Sequence, residues 1–464
     1  MTRPAAKLVH LRGAAGMDAI YRRITWRLLP LLMLCGAVAC LDRIHIGYAQ
    51  ARMALDLPFG ELAYAWGAAL LLLGHLLCGV PAALLLERYG ARQTLLRMMF
   101  GWGVVAVAGA FVKTPFEFYL SRFALGVFEA GFFPGVILYF TYWYPAARRA
   151  VPVALFTAAA LAAGIVAGPL CDATLRHLDQ AGGMTGWQWL LLLQGAPAAV
   201  LGVALYCWLA DGPDHADWLP LGEQHMLLQD VAQDDAAHGE ARDGDDDEGA
   251  IASNRMLALL ADPAIHLLCA GALLIACAGG SLLLHLPSLL AAWGAPANSR
   301  WLAALPQCAA IAAMLWTARR YRRLPERRRH SIGALLTAVA GLLVTGAAGA
   351  QLELALAGLV LTAAGIGAAA PLFITIVCDS LTPAGRAAGI ALVAGAAMLG
   401  GALSPWAVAL TEGGNNGRSD GSALLYLLIV LYLAAGALLL ALRTHGDAAA
   451  AQAAQLDDNP YVSG

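Results

Sequence analysis

The chain has 464 residues, of which 60% are hydrophobic and only 13% charged, about half the charged share of an average soluble domain. That balance rules out an ordinary soluble globule and implies an integral membrane protein. A net charge of −2 gives no general attraction to nucleic acid, and none is expected as a partner.

In chain order, apolar stretches of about 20 residues, each long enough to cross a bilayer as a helix, fall near 28–50, 62–86, 98–114, 117–140, 151–174 and 189–210. Six more follow near 264–292, 301–318, 331–350, 352–377, 386–410 and 423–443. The expected fold is all-α and membrane-integral, with twelve spans arranged six and six. The implied units are an N-terminal segment 1–27, a first half 28–210, a linker 211–262, a second half 263–443 and a tail 444–464. Within the linker, DVAQDDAAHGEARDGDDDEGA (230–250) is acidic and nearly free of large apolar side chains, so it reads as a flexible, solvated tether.

Arginines set the expected orientation, because loops on the cytoplasmic side hold the Lys/Arg excess. Arg22, Arg23 and Arg27 precede span 1, Arg88, Arg92 and Arg97 follow span 2, Arg148 and Arg149 follow span 4, and RRYRRLPERRR (319–329) follows span 8. Opposite loops hold isolated cations such as Arg52, Lys113 and Arg300. Both termini are therefore expected in the cytoplasm, with span 1 retained rather than removed as a signal peptide.

Nine cysteines are scattered with no C-x-x-C pair and no zinc-like spacing, so they read as small packing residues and no metal is expected. The chain has no G-x-x-x-x-G-K-[ST], G-x-S-x-G or H-E-x-x-H, so ATP hydrolysis and hydrolytic catalysis lack support, and neither a cofactor nor an enzyme activity is expected. An energy source, if one is used, is an ion gradient.

The informative residues are the charges inside apolar spans, each of which costs about 2.5–3.5 kcal/mol to insert near the bilayer centre. Asp42 and Arg43 lie in span 1, Arg122 and Glu129 in span 4. Positions 122 and 129 are two helical turns apart on one face, separated by roughly 10.5 Å of rise, too far for a simple direct salt bridge. An arginine facing an aqueous cavity is a fork for carboxylates. A carboxylic acid in the same low-dielectric cavity can load and release a proton near neutral pH. Together they describe anion binding coupled to proton movement; the alternative is an ion-pair network that only pins spans 1 and 4 together.

At these residues the chain resembles a known family. RFALGVFEAGFFPGVILYFTYWYPAARRA (122–150) closely resembles the helix 4 signature of the anion:cation symporter branch of the major facilitator superfamily, which includes bacterial tartrate, phthalate and sugar-acid transporters. LDRIHIGYA (41–49), ERYGAR (87–92) and GWQWLLLLQGAPAAVLGV (186–203) support the likeness. The resemblance implies two six-helix bundles around a central site that works by alternating access, as a monomer in the bacterial inner membrane. It implies Arg122 as the substrate-carboxylate anchor and Asp42 and Glu129 as proton carriers. Glu87, Arg88, Gly90 and Arg92 fall in the loop motif that closes the cytoplasmic side.

Departures from the pattern matter as much. His45 stands where asparagine is expected, His75 where helix 2 has tyrosine, and Gly79 where glutamate is frequent; in the second half Gly280 and His285 replace tyrosine and tryptophan, and Ala394 and Met398 replace amide-bearing positions. Arg322 stands where the second loop motif has aspartate. His45, His75 and His285 are therefore candidate replacement ligands or proton sites, with packed histidines as the alternative. Asp379 reads as an interfacial cap. Pro81, Pro134 and Pro169, beside Gly79, Gly135 and Gly168, predict bends in helices 2, 4 and 5. The reading is a proton-coupled importer of an organic anion such as a sugar acid, tartrate or an aromatic acid. Two alternatives stay open: an exporter of other small organic molecules, and a membrane sensor on the same scaffold that does not transport.

Overall fold

A chain that crosses a bilayer must satisfy its backbone polar groups internally, and here it does so with helices. The computed structural model describes residues 3–57, 59–238, 256–296, 300–320, 327–349, 351–412 and 422–442, and contains no strand among them. Seven helices build the first half: α1 (Arg3–Asp56), α2 (Glu61–Tyr89), α3 (Ala91–Gly109), α4 (Pro115–Glu129), α5 (Phe132–Trp143), α6 (Ala146–His177) and α7 (Gly186–Trp208). A linker helix, α8 (Leu221–His238), follows. The second half comprises α9 (Pro263–Ala292), α10 (Ala304–Arg320), α11 (Arg327–Ala347), α12 (Leu352–Ser380), α13 (Arg386–Glu412) and α14 (Ser422–Ala441).

Among the described residues, eleven helical segments are long and apolar enough to span a membrane, with Pro115–Trp143 counted as one. The twelfth crossing is α3. Its first turns carry Arg92, Gln93 and Arg97, which lower its mean hydropathy; the helix starts at Ala91 rather than near 98, because long arginine side chains can reach the membrane surface from inside a helix. Likewise, the N-terminal segment is not separate from the first span: α1 runs unbroken from Arg3 to Asp56.

The halves repeat one packing scheme. In the first, α1 packs on α6, α2 on α4 and α3 on α7; in the second, α9 packs on α13, α10 on α12 and α11 on α14. This is two six-helix bundles built from the same arrangement of spans, with α4 and α5 forming one span. Lipid tails are as apolar as leucine, so close packing by small residues holds such bundles together. At the α2–α4 crossing a Cβ on Gly126 would lie 2.1 Å from the Leu71 carbonyl oxygen, and one on Gly74 would lie 2.6 Å from the Phe123 carbonyl oxygen. We expect Gly126→Val to force these helices apart and cost about 1–3 kcal/mol. Fluorescence-detected size exclusion after heating should show a lower midpoint; an unchanged one would refute the close crossing.

The predicted bend in helix 4 is present but sits one turn earlier than the proline. α4 ends at Glu129, Gly131 has φ −90° and ψ −7°, and α5 starts at Phe132. Pro134 supplies no N–H to the carbonyl of Ala130, and its ring crowds that carbonyl, so the break falls at residues 130–131. Pro81 and Pro169 differ: both lie within continuous helices, α2 and α6.

The two bundles meet at the end where α8 lies. There Ala150, Ala154 and Ala158 of α6 pack on Met314 and Ala318 of α10. Arg149 of α6, 1% exposed, donates to Asp379 of α12 at 2.9 Å. Arg327 of α11 also binds Asp379, and reaches the Ala146 carbonyl of the first bundle. Asp379 is thus an inter-bundle ion-pair partner, not the simple interfacial cap expected.

The linker also departs from expectation. Residues 230–238 of the expected tether are not free but end a helix, 221–238, begun where the Gln224 side chain donates to the carbonyls of Ala216 and Leu219 and docked through the fully buried Leu227. Composition failed here because the segment does not fold alone; it borrows the bundles' surface. Residues 239–255, Arg322 and the tail 444–464 lie outside the described residues.

Candidate substrate and proton site

The α4 residues reach their positions by a well-formed helix start. Thr114 caps α4 by accepting from the Glu117 amide at 3.3 Å, while Glu117 accepts from the amides of Lys113 and Thr114. With Pro115 at the first helical position, this fixes the register from which Arg122 and Glu129 emerge. Both face the protein interior, at 5% and 2% exposure, and Asp42 of α1 is 5% exposed.

Glu129, the last residue before the break, accepts a 2.6 Å bond from Nε of Arg43. Sequence reading noted Arg43 as an intramembrane charge but gave it no role; the signal was there, a second charge beside Asp42 in an apolar span. What the sequence did not show is its partner, 86 residues away. The Arg43 side chain keeps 47% of its exposure although it sits mid-span.

Arg122 is different. Its guanidinium lies 5.5 Å from the Phe118 ring, within electrostatic reach of Asp42 and Glu129. Among the described residues it has neither a hydrogen-bonded acceptor nor an ion pair, and its Nε is buried without a partner. Leaving a buried charged donor unmatched costs more than a typical hydrogen bond contributes, and among the described residues nothing offsets that cost at Arg122 Nε. Two cations and two carboxylates from α1 and α4 thus form one cluster, in which one pair is joined and the other is not.

The three histidines fall in different places. His75 of α2, buried, lies near Glu129 and Arg43, and its Nδ1 lacks a partner. It supplies the polar side chain in the lining of a cavity of about 150 Å³ between α2 and α13, beside Gly79, Ala130, Ala391, Gly395 and Leu399. His45 is buried beside Gln194 of α7, with neither ring nitrogen hydrogen-bonded. His285 is half-buried on α9, where its carbonyl accepts from Ser288. Of the three, only His75 is brought to the charged cluster.

Two residues of the loop between α2 and α3, Gly90 and Arg92, are fitted against the C-terminal end of the first bundle. Gly90 has φ +83°, and a Cβ there would meet the Asp211 carboxylate at 2.4 Å. Asp211 accepts from the Arg92 amide at 2.8 Å, and Arg92 Nε donates to the Tyr206 carbonyl. Arg88 is exposed with its guanidinium 5.6 Å from the Tyr89 ring, and Glu87 is exposed close to Tyr142. Among the described residues, Arg149 pairs with Asp379 across the two bundles, Arg327 joins the same carboxylate from within the second bundle, and Asp235 of α8 pairs with Arg386. Asp211 escaped the sequence reading, since only the fold brings ADGP beside ERYGAR.

Two repeated six-helix bundles of apolar helices enclosing a buried charged cluster are the architecture of a membrane transporter. The family model of the Major Facilitator Superfamily matches residues 32–405, and the chain belongs to that superfamily. It is 36% identical over 390 residues, 83% of each chain, to a protein of Agrobacterium vitis named for tartrate transport. It is 31% identical over 416 residues, 89% of this chain and 92% of the other, to a quinolone resistance transporter of Acinetobacter baumannii. Among solved structures it is similar in fold to the proton:xylose symporter XylE, with a TM-score of 0.71 at 14% identity, covering 90% of this chain and 96% of that one.

Proposed function

We propose that this transporter carries an organic anion together with protons into the cell across the bacterial inner membrane, with both termini cytoplasmic. The observation that carries the reading is Arg122, a buried guanidinium that among the described residues has no acceptor, beside two buried carboxylates. A substrate carboxylate completes its bonding, and the relative named for tartrate transport is consistent with such a cargo. Asp42 and Glu129 are the proposed proton sites. Protonation of Glu129 removes the charge that holds Arg43, so proton loading and the release of a second guanidinium toward the substrate are one event. His75, at the edge of the cluster, is the replacement ligand that this geometry favours among the three histidines.

Moving one elementary charge across 100 mV is worth about 2.3 kcal/mol. A monoanion entering with one proton gains nothing from voltage, whereas two protons add the electrical term, and two acids permit that stoichiometry. The test is uptake of labelled tartrate, gluconate and benzoate into proteoliposomes under an imposed pH gradient. Accumulation of one of them, abolished by a protonophore, is the expected result. If none accumulates at any gradient, the reading fails.

Export is a second reading, favoured by the relative named for quinolone resistance and by Gly280, Ala394 and Met398, which offer no hydrogen-bonding side chains in the second bundle. In the same vesicles it would appear as proton-driven movement of a larger apolar compound and indifference to small carboxylates.

A further inference from the structure

We propose that the acidic linker helix α8 is a working part of the gate: its aspartates hold the two bundles together at the linker end and must release before the bundles part there. The inference goes beyond the transport reading and needs only the two-bundle architecture.

Three aspartates near the end of α8 carry the argument. Asp230 accepts from the Tyr21 hydroxyl at 2.5 Å, and Asp234 accepts from the Ala146 amide at 2.8 Å and lies 3.7 Å from Arg149. All three partners belong to the first bundle. Asp235 accepts instead from Arg386, the first residue of α13 in the second bundle, at 2.8 Å. Positions 230 and 234 share one helix face while 235 points about 100° around. One helix therefore turns two carboxylates to one bundle and a neighbouring carboxylate to the other. Earlier in the helix, Glu223 binds Arg23 at 2.8 Å, and buried Leu227 anchors it to the core.

Beneath α8 lies the Arg149, Asp379 and Arg327 network. With Asp234, Asp235 and Arg386 it makes three carboxylates against three guanidiniums. Arg149 and Arg386 are both buried where the bundles meet, at 1% and 7% side-chain exposure. Nε of Arg386 has no partner, so among the described residues Asp235 supplies its ion pair. Breaking a buried pair by removing one partner is strongly unfavourable, whereas the same arginine in an opened, wet gate is compensated by water. Loss of Asp235 therefore penalises the closed state more than the open one. By linkage, a docked α8 shifts the equilibrium toward closure at this end.

The test reads gate accessibility and uses no substrate, so failure of the organic-anion reading leaves it valid. Ala154→Cys places a reporter between α6 and α10, fully buried in the closed gate. The full-length protein is held in nanodiscs, and alkylation by a polar maleimide is followed peptide by peptide by mass spectrometry, which separates the reporter from the native cysteines. Asp235→Asn, an isosteric change on a part-exposed helix, should raise the reporter's alkylation rate by about tenfold, equivalent to 1.4 kcal/mol of lost closure. Asp235→Arg should raise it further, and Asp235→Arg combined with Arg386→Asp should return it toward the original rate. Wild-type labelling in Asp235→Asn, or a double exchange as reactive as the single one, would overturn the proposal.

Discussion

Arg122→Ala should abolish carboxylate binding for practical purposes, weakening it by about two orders of magnitude or more. Truncating one member of a desolvated charge pair costs about 2–5 kcal/mol, which is roughly 30-fold to several thousand-fold in affinity. The effect is expected at the upper end because, among the described residues, Arg122 has no ion pair and its buried Nε has no hydrogen-bond partner, which leaves its donors available to a ligand. Arg122→Lys keeps the charge but loses the planar fork, and should recover only part of the affinity. Equilibrium binding to purified protein, with size-exclusion profiles as the folding control, measures both. Undiminished affinity in Arg122→Ala would remove the anchor role and with it the main support for an anionic cargo.

Glu129→Gln should separate uphill transport from exchange. The amide cannot cycle a proton, so gradient-driven accumulation should vanish, while counterflow of labelled against unlabelled substrate should persist and lose its dependence on pH. The amide also releases Arg43 from its 2.6 Å ion pair, which makes the variant resemble the protonated carrier. Substrate binding should therefore hold or tighten rather than weaken. Full proton-driven accumulation by Glu129→Gln would eliminate Glu129 as the coupling site and leave Asp42 alone in that role.

The helix 4 break bears on both expectations. Glu129 is the last residue of α4, and the chain turns at 130–131 because Pro134 leaves the Ala130 carbonyl without its helical donor. The acid proposed to couple protons therefore sits where the backbone is already interrupted. A charge change there meets less resistance from an unbroken hydrogen-bond ladder than it would at Arg122, a full two turns inside α4.

Particular residues show how far the sequence could be read. Arg122, Glu129 and Asp42 were legible because a charge in an apolar span is expensive and therefore conspicuous. Arg43 was visible but without a role, since its partner lies on another helix. His45, His75 and His285 could not be ranked from sequence, because helical facing is uncertain by a residue or two in a long apolar span; the fold brings His75 to the cluster and places His45 beside Gln194. The linker misled most. Its acidity reads as solvation, yet Asp230, Asp234 and Asp235 are bound by Tyr21, Ala146 and Arg386.

Hydropathy and the placement of a few charges thus determined, from sequence alone, that this chain is a many-helix membrane protein with an ionisable pair in its fourth span. Both are local consequences of transfer free energy, which each residue carries wherever it folds. Tertiary structure alone decided which carboxylate holds which arginine, which buried guanidinium nitrogen is left unpaired among the described residues, and where the linker aspartates touch the bundles. Those depend on distances between helices far apart in the chain, and a low-dielectric interior makes each of those distances count.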